Sequence, residues 1–249
     1  MPIAALGMVL GVTACHLDLG QVDSAYYNWD HRKVHCAVDI DSSADNSLDS
    51  IESGLDRAAR TGETLELYAH EPGTTVSWDT VEAVLAGAQS RGLAFVTFDD
   101  IVNGNRPAGG ALAMSFDDAH VPQWIAGRPM FQQYAARLTF WVAYYDRYTD
   151  DDKANLQTLY GDGHAVEAHT VRHQRAPEYV EEYGVDTWMS AEVDPSIDEL
   201  EADGYTVSAF AYPYGSRTDE TDKAVLERVP IVRSVAYAWD SPAVDPCPY

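Results

Sequence analysis

The chain has 249 residues, of which 40 are acidic and 16 basic, giving a formal net charge of −24. So negative a molecule excludes nucleic acid and anionic lipid headgroups as partners recognised by charge, because both need positive potential. A chain of this length can bury a substantial core, and α/β barrels of this size are commonly one domain.

Residues Met1–Ala14 carry no charge and lead to Cys15. They are shorter than the roughly 20 apolar residues a membrane-spanning helix needs, and they fit the core of a signal peptide. Val12-Thr-Ala-Cys15 resembles a bacterial lipoprotein cleavage box, which would make Cys15 the lipidated first residue of an exported, periplasmic or cell-surface protein. The Lys/Arg region that normally precedes such a core is missing. The leader is thus read as residues 1–15 and a single domain as 16–249. Cys36 and Cys247 then remain as an even pair in a disulfide-permissive compartment, with a bridge and two buried thiols both open.

From there the pattern alternates strand and helix. Val34–Asp39 is rich in β-branched and small residues and predicts a strand. Leu48, Ile51, Leu55 and Ala59 fall on one helical face that Gly62 can end. Leu65–His70 predicts the next strand. Val81, Val84, Leu85 and Ala88 give another helical stripe, with Ser77 or Asp79 as cap and Gly92 as stop. Further strands are expected near 93–98, 111–116, 138–144, 164–169, 206–212 and 231–238. Helices are expected near 128–136, 151–160 and 218–229, the last halted by Pro230. Repeated βα units imply a parallel sheet buried on both faces, doubly wound or closed into a barrel.

His169-Thr-Val-Arg-His173 follows Ser115-Phe-Asp-Asp118 by about fifty residues. Two imidazoles and a carboxylate are what a catalytic zinc site takes, leaving one position for water, and a spare carboxylate can accept that water's proton. Ala113-Met-Ser-Phe-Asp-Asp118, Arg137-Leu-Thr-Phe-Trp-Val142, Gly163-His-Ala-Val-Glu-Ala-His-Thr-Val-Arg-His173 and Phe210-Ala-Tyr-Pro-Tyr-Gly215 occur in that order. The run, about residues 111 to 240, resembles the polysaccharide deacetylases, carbohydrate esterases of the chitooligosaccharide-deacetylase type.

The resemblance implies a distorted (β/α) barrel, Asp117 as general base, and Asp118, His169 and His173 as ligands of Zn2+ or another divalent metal. It implies that the Tyr214 N–H helps bind the oxyanion, with Tyr212 and Pro213 in the groove wall for an acetylated glycan. The family's C-terminal Leu-x-His has no counterpart after residue 215. It resembles instead Thr64-Leu-Glu-Leu-Tyr-Ala-His70, followed by Ser77–Gly92 and Leu93-Ala-Phe-Val-Thr-Phe98. The chain therefore reads as circularly permuted, with 16–104 equivalent to the family's C-terminal part and 111–249 to its N-terminal part. Asn103–Gly110 is the new link, and His70 the acid that protonates the leaving amine.

Asp240, in Ala238-Trp-Asp240, resembles the aspartate that would hold His70 charged, with a turn before Ser-Pro as the other reading. Permutation would bring Cys36 and Cys247 together. Two departures stand out. Ala211 occupies the position of an Arg that orients the base in many relatives, and Ala119 then His120 follow the Asp pair where Gly is usual. His70, Asp117, Asp118, His169 and Tyr214 all fall at or just after strand C-terminal ends, the rim on which barrel active sites are built.

The expected reaction is removal of an N-acetyl or O-acetyl group from a polysaccharide or oligosaccharide. The rivals are a non-catalytic glycan-binding lipoprotein of the same fold and a same-fold hydrolase of a non-sugar amide or ester. A second Phe-Asp-Asp copy, Phe98-Asp99-Asp100, most simply caps a short helix.

Overall fold

The computed structural model describes residues 18–236; Cys15, Asp240 and Cys247 lie outside them. Among the described residues the strands are β1 (Tyr26–Tyr27), β2 (Val34–Asp39), β3 (Thr64–Ala69), β4 (Ala94–Phe95), β5 (Ala111–Asp118), β6 (Thr139–Val142), β7 (Ala165–Ala168), β8 (Ala209–Ala211) and β9 (Ile231–Val235). The helices are α1 (Leu48–Thr61), α2 (Trp78–Ser90), α3 (Phe98–Val102), α4 (Val121–Ala126), α5 (Arg128–Gln133), α6 (Asp150–Gly161), α7 (Ala176–Tyr183), α8 (Val185–Trp188), α9 (Asp194–Ala202) and α10 (Asp219–Val225).

The strand order is β1-β3-β2-β9-β8-β7-β6-β5-β4, and β3 also pairs with β5. That extra pairing, Thr64 opposite Ala111 through Ala69 opposite Phe116, closes β3, β2, β9, β8, β7, β6 and β5 into a parallel barrel. β1 adds an antiparallel edge to β3, and β4 lies beside the start of β5. All seven barrel strands run the same way, so their C-terminal ends share one mouth.

Alternation along each strand sorts the side chains. Leu65, Leu67, Leu112, Met114, Phe116, Phe140, Val166, Phe210 and Val232 belong to one large apolar cluster with Ile51, Leu55 and Ala58 of α1 and Val81, Val84 and Leu85 of α2. The residues between them face inward. Ala111, Ala113, Ala209, Ala211 and Ile231 form a smaller cluster with Trp141 and with Phe98 and Ile101 of α3. A narrow barrel fills its interior with side chains, and the four alanines leave room for the Trp141 indole. α3 plugs the N-terminal mouth: the Phe98 N–H donates to Thr139 Oγ1, at the first residue of β6.

Most expected elements are present, with physical reasons for the differences. The strand expected at 93–98 is two residues long because Thr97 starts α3. Its hydroxyl accepts the Asp100 N–H while the Asp100 carboxylate accepts the Thr97 N–H, a closed capping box. The helix expected at 128–136 is α5, ending at Gln133, and across Gly127 it is preceded by the unexpected α4; each has a proline in its first turn. Ser47 caps the start of α1, and Gly62, at φ 77°, ends it as the sequence implied. The link Asn103–Gly110 brings Gly110 against the backbone of α1, where an added Cβ would sit 2.1 Å from Ala58 O. Cys36 is buried in β2 and disulfide-bonded, and Cys247, its expected partner, is outside the described residues.

Candidate metal and catalytic site

The C-terminal mouth gathers most of the residues singled out from the sequence. β5 ends in Asp117 and Asp118, and Asp118 takes φ 80°, so the strand's last side chain swings toward the opening. His169 follows β7 directly. Its Nδ1 lies 2.8 Å from Ala211 O; donating to that carbonyl leaves Nε2 as the acceptor that faces Asp118. His169 Nε2 stands 3.5 Å and His173 Nε2 3.0 Å from Asp118 Oδ1, a buried oxygen that accepts no hydrogen bond.

Three lone pairs thus converge, each within 4.8 Å of the others. Zinc bonds of about 2.0–2.2 Å put tetrahedral ligand atoms about 3.3 Å apart, close to both of the histidine distances to Asp118. Burial is the main cause that pulls His169 below its ordinary value, favouring the neutral, ligating form.

Asp117 lies beside this cluster and points into the barrel, 2% exposed. Arg233, 1% exposed, donates from its Nη2 to Asp117 Oδ2, and Asp117 Oδ1 keeps a free, buried lone pair. Ala211, where many relatives carry an Arg, pairs in register with Arg233 on β9. The guanidinium therefore arrives from the neighbouring strand, and its central carbon lies 5.4 Å from the centroid of the Trp141 ring. The sequence signal was an arginine in the middle of Ile231-Val-Arg-Ser-Val235, a strand too apolar to carry an unpaired charge.

On the other side of the mouth, His70 follows β3. Its Nδ1 lies 2.5 Å from Asp41 Oδ2, and Asp41 Oδ1 also accepts from the Thr75 hydroxyl at 2.7 Å. Asp41, just past the end of β2, a strand that pairs with β3, thus holds His70, while Asp240, expected in that role, lies outside the described residues. Burial disfavours the charged imidazole, but the Asp41 bond and the nearby Asp117 and Asp118 carboxylates outweigh it and push the pKa up to about 9. Asp39, close to Asp41 and also partly buried, is pushed up to about 6 by desolvation and by the Asp41 charge.

The Pro213-Tyr214-Gly215 turn forms the wall beside His173. Tyr214 takes φ 59°, its side chain is 48% exposed, and its ring centroid is 4.7 Å from that of His173. Gly215 is required: φ is +64° and a Cβ there would lie 2.5 Å from Val235 Cγ2. Tyr212 and Pro213, expected to line the groove, do not. Tyr212 is 0% exposed and stacks on Trp188 at 6.0 Å, and Pro213 is buried, so both support the wall from behind. The Phe210-Ala211-Tyr212 alternation already put the two large rings on the helix-facing side. Trp124 and Trp141 are likewise buried. Nine non-glycine residues among those described have positive φ, and five of them, Asp118, Tyr144, Thr170, His173 and Tyr214, surround this mouth. Strain of that kind persists where the surrounding structure over-determines it and concentrates at functional sites.

The class is thus a closed parallel α/β barrel whose C-terminal mouth holds an Asp-His-His cluster able to take a metal ion, beside an ion-paired aspartate. The model of the family described as polysaccharide deacetylase matches residues 86–229, more than half of the chain, and the chain belongs to that family. No curated protein matches. Among solved structures, the de-N-acetylase from Aggregatibacter actinomycetemcomitans superposes with a TM-score of 0.55 at 14% identity, covering 70% of this chain and 95% of that one. IcaB from Ammonifex degensii gives 0.49 at 16% identity over 86% and 88%, and the Streptococcus pyogenes deacetylase PplD gives 0.44 at 19% identity over 78% of each. The likeness to the first extends the fold of such enzymes to this chain. Family membership supports polysaccharide deacetylase activity.

Proposed function

We propose that the protein is a zinc-dependent hydrolase that removes the acetyl group from an N-acetylated amino sugar in a polysaccharide or oligosaccharide. The observation that carries this is the meeting, at one mouth, of a three-ligand donor set, an aspartate with one oxygen free, and an aspartate-held histidine. Asp118, His169 and His173 are the residues that would hold the metal. Zinc bound there supplies Lewis acidity at the acetamide carbonyl and brings the pKa of its water toward neutrality.

Asp117 accepts the proton of the attacking water on Oδ1, while Arg233 on Oδ2 balances the carboxylate's charge and fixes its orientation. The Tyr214 N–H donates to the oxygen that gains negative charge, the kind of preorganised donor worth about 3–4 kcal/mol in acyl transfer. His70, cationic at neutral pH with its pKa pushed up to about 9, gives its proton to the departing nitrogen. Asp41 fixes the ring and holds its charge until then. A binding protein would need neither a base nor an acid.

The arrangement also supports the permuted reading. The family match begins at residue 86, whereas His70 and Asp41 come earlier in the chain and reach the same mouth through β3 beside β5 and β2 beside β9. Export and anchoring through a lipid on Cys15 complete the proposal, putting the enzyme among cell-surface glycans.

The test is acetate release from a panel of N- and O-acetylated oligosaccharides by the purified chain, first stripped with chelator and then reloaded with zinc. Release that disappears on stripping and returns with zinc is expected. No acetate from any substrate with zinc-loaded protein would return the chain to the glycan-binding reading.

A further inference from the structure

Between α8 and α9 the chain makes a π-helical turn, Met189–Val193. Such a turn adds one residue to an α-helix, rotating the downstream side chains by about 100°. Here it carries Glu192, which is 3% exposed and belongs to no ion pair with a neighbouring helix among the described residues. Its carboxylate reaches instead into the loop that bears the two site histidines. Oε2 accepts the Arg172 N–H at 2.7 Å. The Glu192 carbonyl accepts the Val171 N–H at 3.1 Å. Thr170 Oγ1 in turn accepts the His173 N–H at 2.9 Å.

One residue therefore secures the amides of Val171 and Arg172, in the middle of a loop whose Thr170 hydroxyl holds the His173 amide. This matters because Thr170 and His173 sit in the left-handed region, at φ 66° and 55°, where residues other than glycine need external support. Without a partner of fixed position, the loop has no reason to hold the His173 ring against Asp118. The turn is itself anchored: Trp188 before it is fully buried against Tyr212, and Val193 is fully buried. By contrast, the Arg172–Asp146 pair on the outer side of the loop is partly exposed and contributes little to its rigidity.

We infer that Glu192 is a positioning residue for the metal site, presented by the π turn to hold the His169–His173 loop in ligating geometry. The inference rests on the reading that Asp118, His169 and His173 bind a divalent metal. It assigns the control of metal affinity to a residue outside the sequence motifs, in the way that groups behind a ligand commonly set affinity.

The experiment is competitive titration of the stripped full-length chain with zinc, and with cobalt(II) for its visible spectrum. Wild type, Glu192→Ala, Glu192→Asp and Glu192→Gln are compared, with melting temperatures recorded alongside. Ala removes the clamp and Asp keeps the charge but shortens the reach by one methylene. Both should weaken zinc binding about 10- to 100-fold and alter the cobalt band. Gln keeps both the reach and an acceptor for the Arg172 N–H, so it should bind close to wild type. If the Ala variant does not fold, the Asp and Gln pair decides the matter alone. Unchanged zinc affinity and an unchanged cobalt spectrum in the Asp and Ala variants, whatever their melting temperatures, would overturn the inference and leave Glu192 a structural residue. Wild-type protein that binds neither metal would instead remove the site reading beneath it.

Discussion

Phe98-Asp99-Asp100 and Phe116-Asp117-Asp118 are the same three residues set at opposite ends of one barrel. At the N-terminal end, every oxygen of Asp100 is engaged. It accepts from the Thr97 N–H at 2.9 Å, from the Thr97 hydroxyl at 3.0 Å and from Asn105 at 3.2 Å, and Arg137 pairs with it at 2.9 Å. Burial opposes its charge, but these partners hold its carboxyl below the usual range. Asp99 only borders a pocket of about 240 Å³ shared with Arg137 and Tyr160, and bonds Asn103. At the C-terminal end, Asp117 Oδ1 and Asp118 Oδ1 are buried and accept nothing. A satisfied carboxylate builds structure; a buried carboxylate with a lone pair held open is free for chemistry, and its cost must be met by neighbours.

That contrast can be broken or sharpened. The largest effect expected is at Arg233, the neighbour that compensates Asp117. Arg233→Met leaves a buried carboxylate without its partner and should lower unfolding stability by about 3–5 kcal/mol in denaturant titration, with kcat falling in the same variant. A loss below about 1 kcal/mol would mean that Asp117 does not depend on it.

A smaller effect concerns the second neighbour, Asp41. Asp41→Asn replaces the carboxylate that raises His70 with a neutral amide, so the imidazole loses its proton at lower pH. His70 is raised from 6.5 to about 9, so its stabilising contribution is complete below about pH 6.5 and is lost as pH rises through about 9. The rate has the same sign, since the acid must be protonated. The alkaline limb of kcat/KM for zinc-loaded protein should therefore move to lower pH in Asp41→Asn. An unmoved limb would exclude His70 as the acid.

How far the sequence led is explained by the same geometry. The βα alternation, His70, and the Asp118, His169 and His173 set were legible because each lies at the end of a strand with its own local pattern. Asp41, Arg233 and Glu192 were not, because each reaches the mouth from an element whose neighbour is decided by barrel closure or by a π turn. Local periodicity carries neither. Arg233 still left a trace as a charge within a β-branched strand, and Asp39-Ile-Asp41 left one as a carboxylate pair at a strand's end. Tyr212 misled in the other direction: the motif pointed at the groove, while simple alternation from Phe210 already assigned it to the buried face.

The two Phe-Asp-Asp copies also give the most direct measurement of the central claim, that the catalytic carboxylate is the one left with a free oxygen. Acetate release and bound zinc are to be measured side by side for Asp117→Asn and Asp99→Asn. Asp117→Asn should keep its zinc and lose about 10²–10⁴ in kcat, the contribution of a general base. Asp99→Asn should lose at most about 1 kcal/mol of stability and retain the wild-type rate. Normal turnover in Asp117→Asn, with turnover lost in Asp99→Asn, would contradict the account and move the active site to the other end of the barrel.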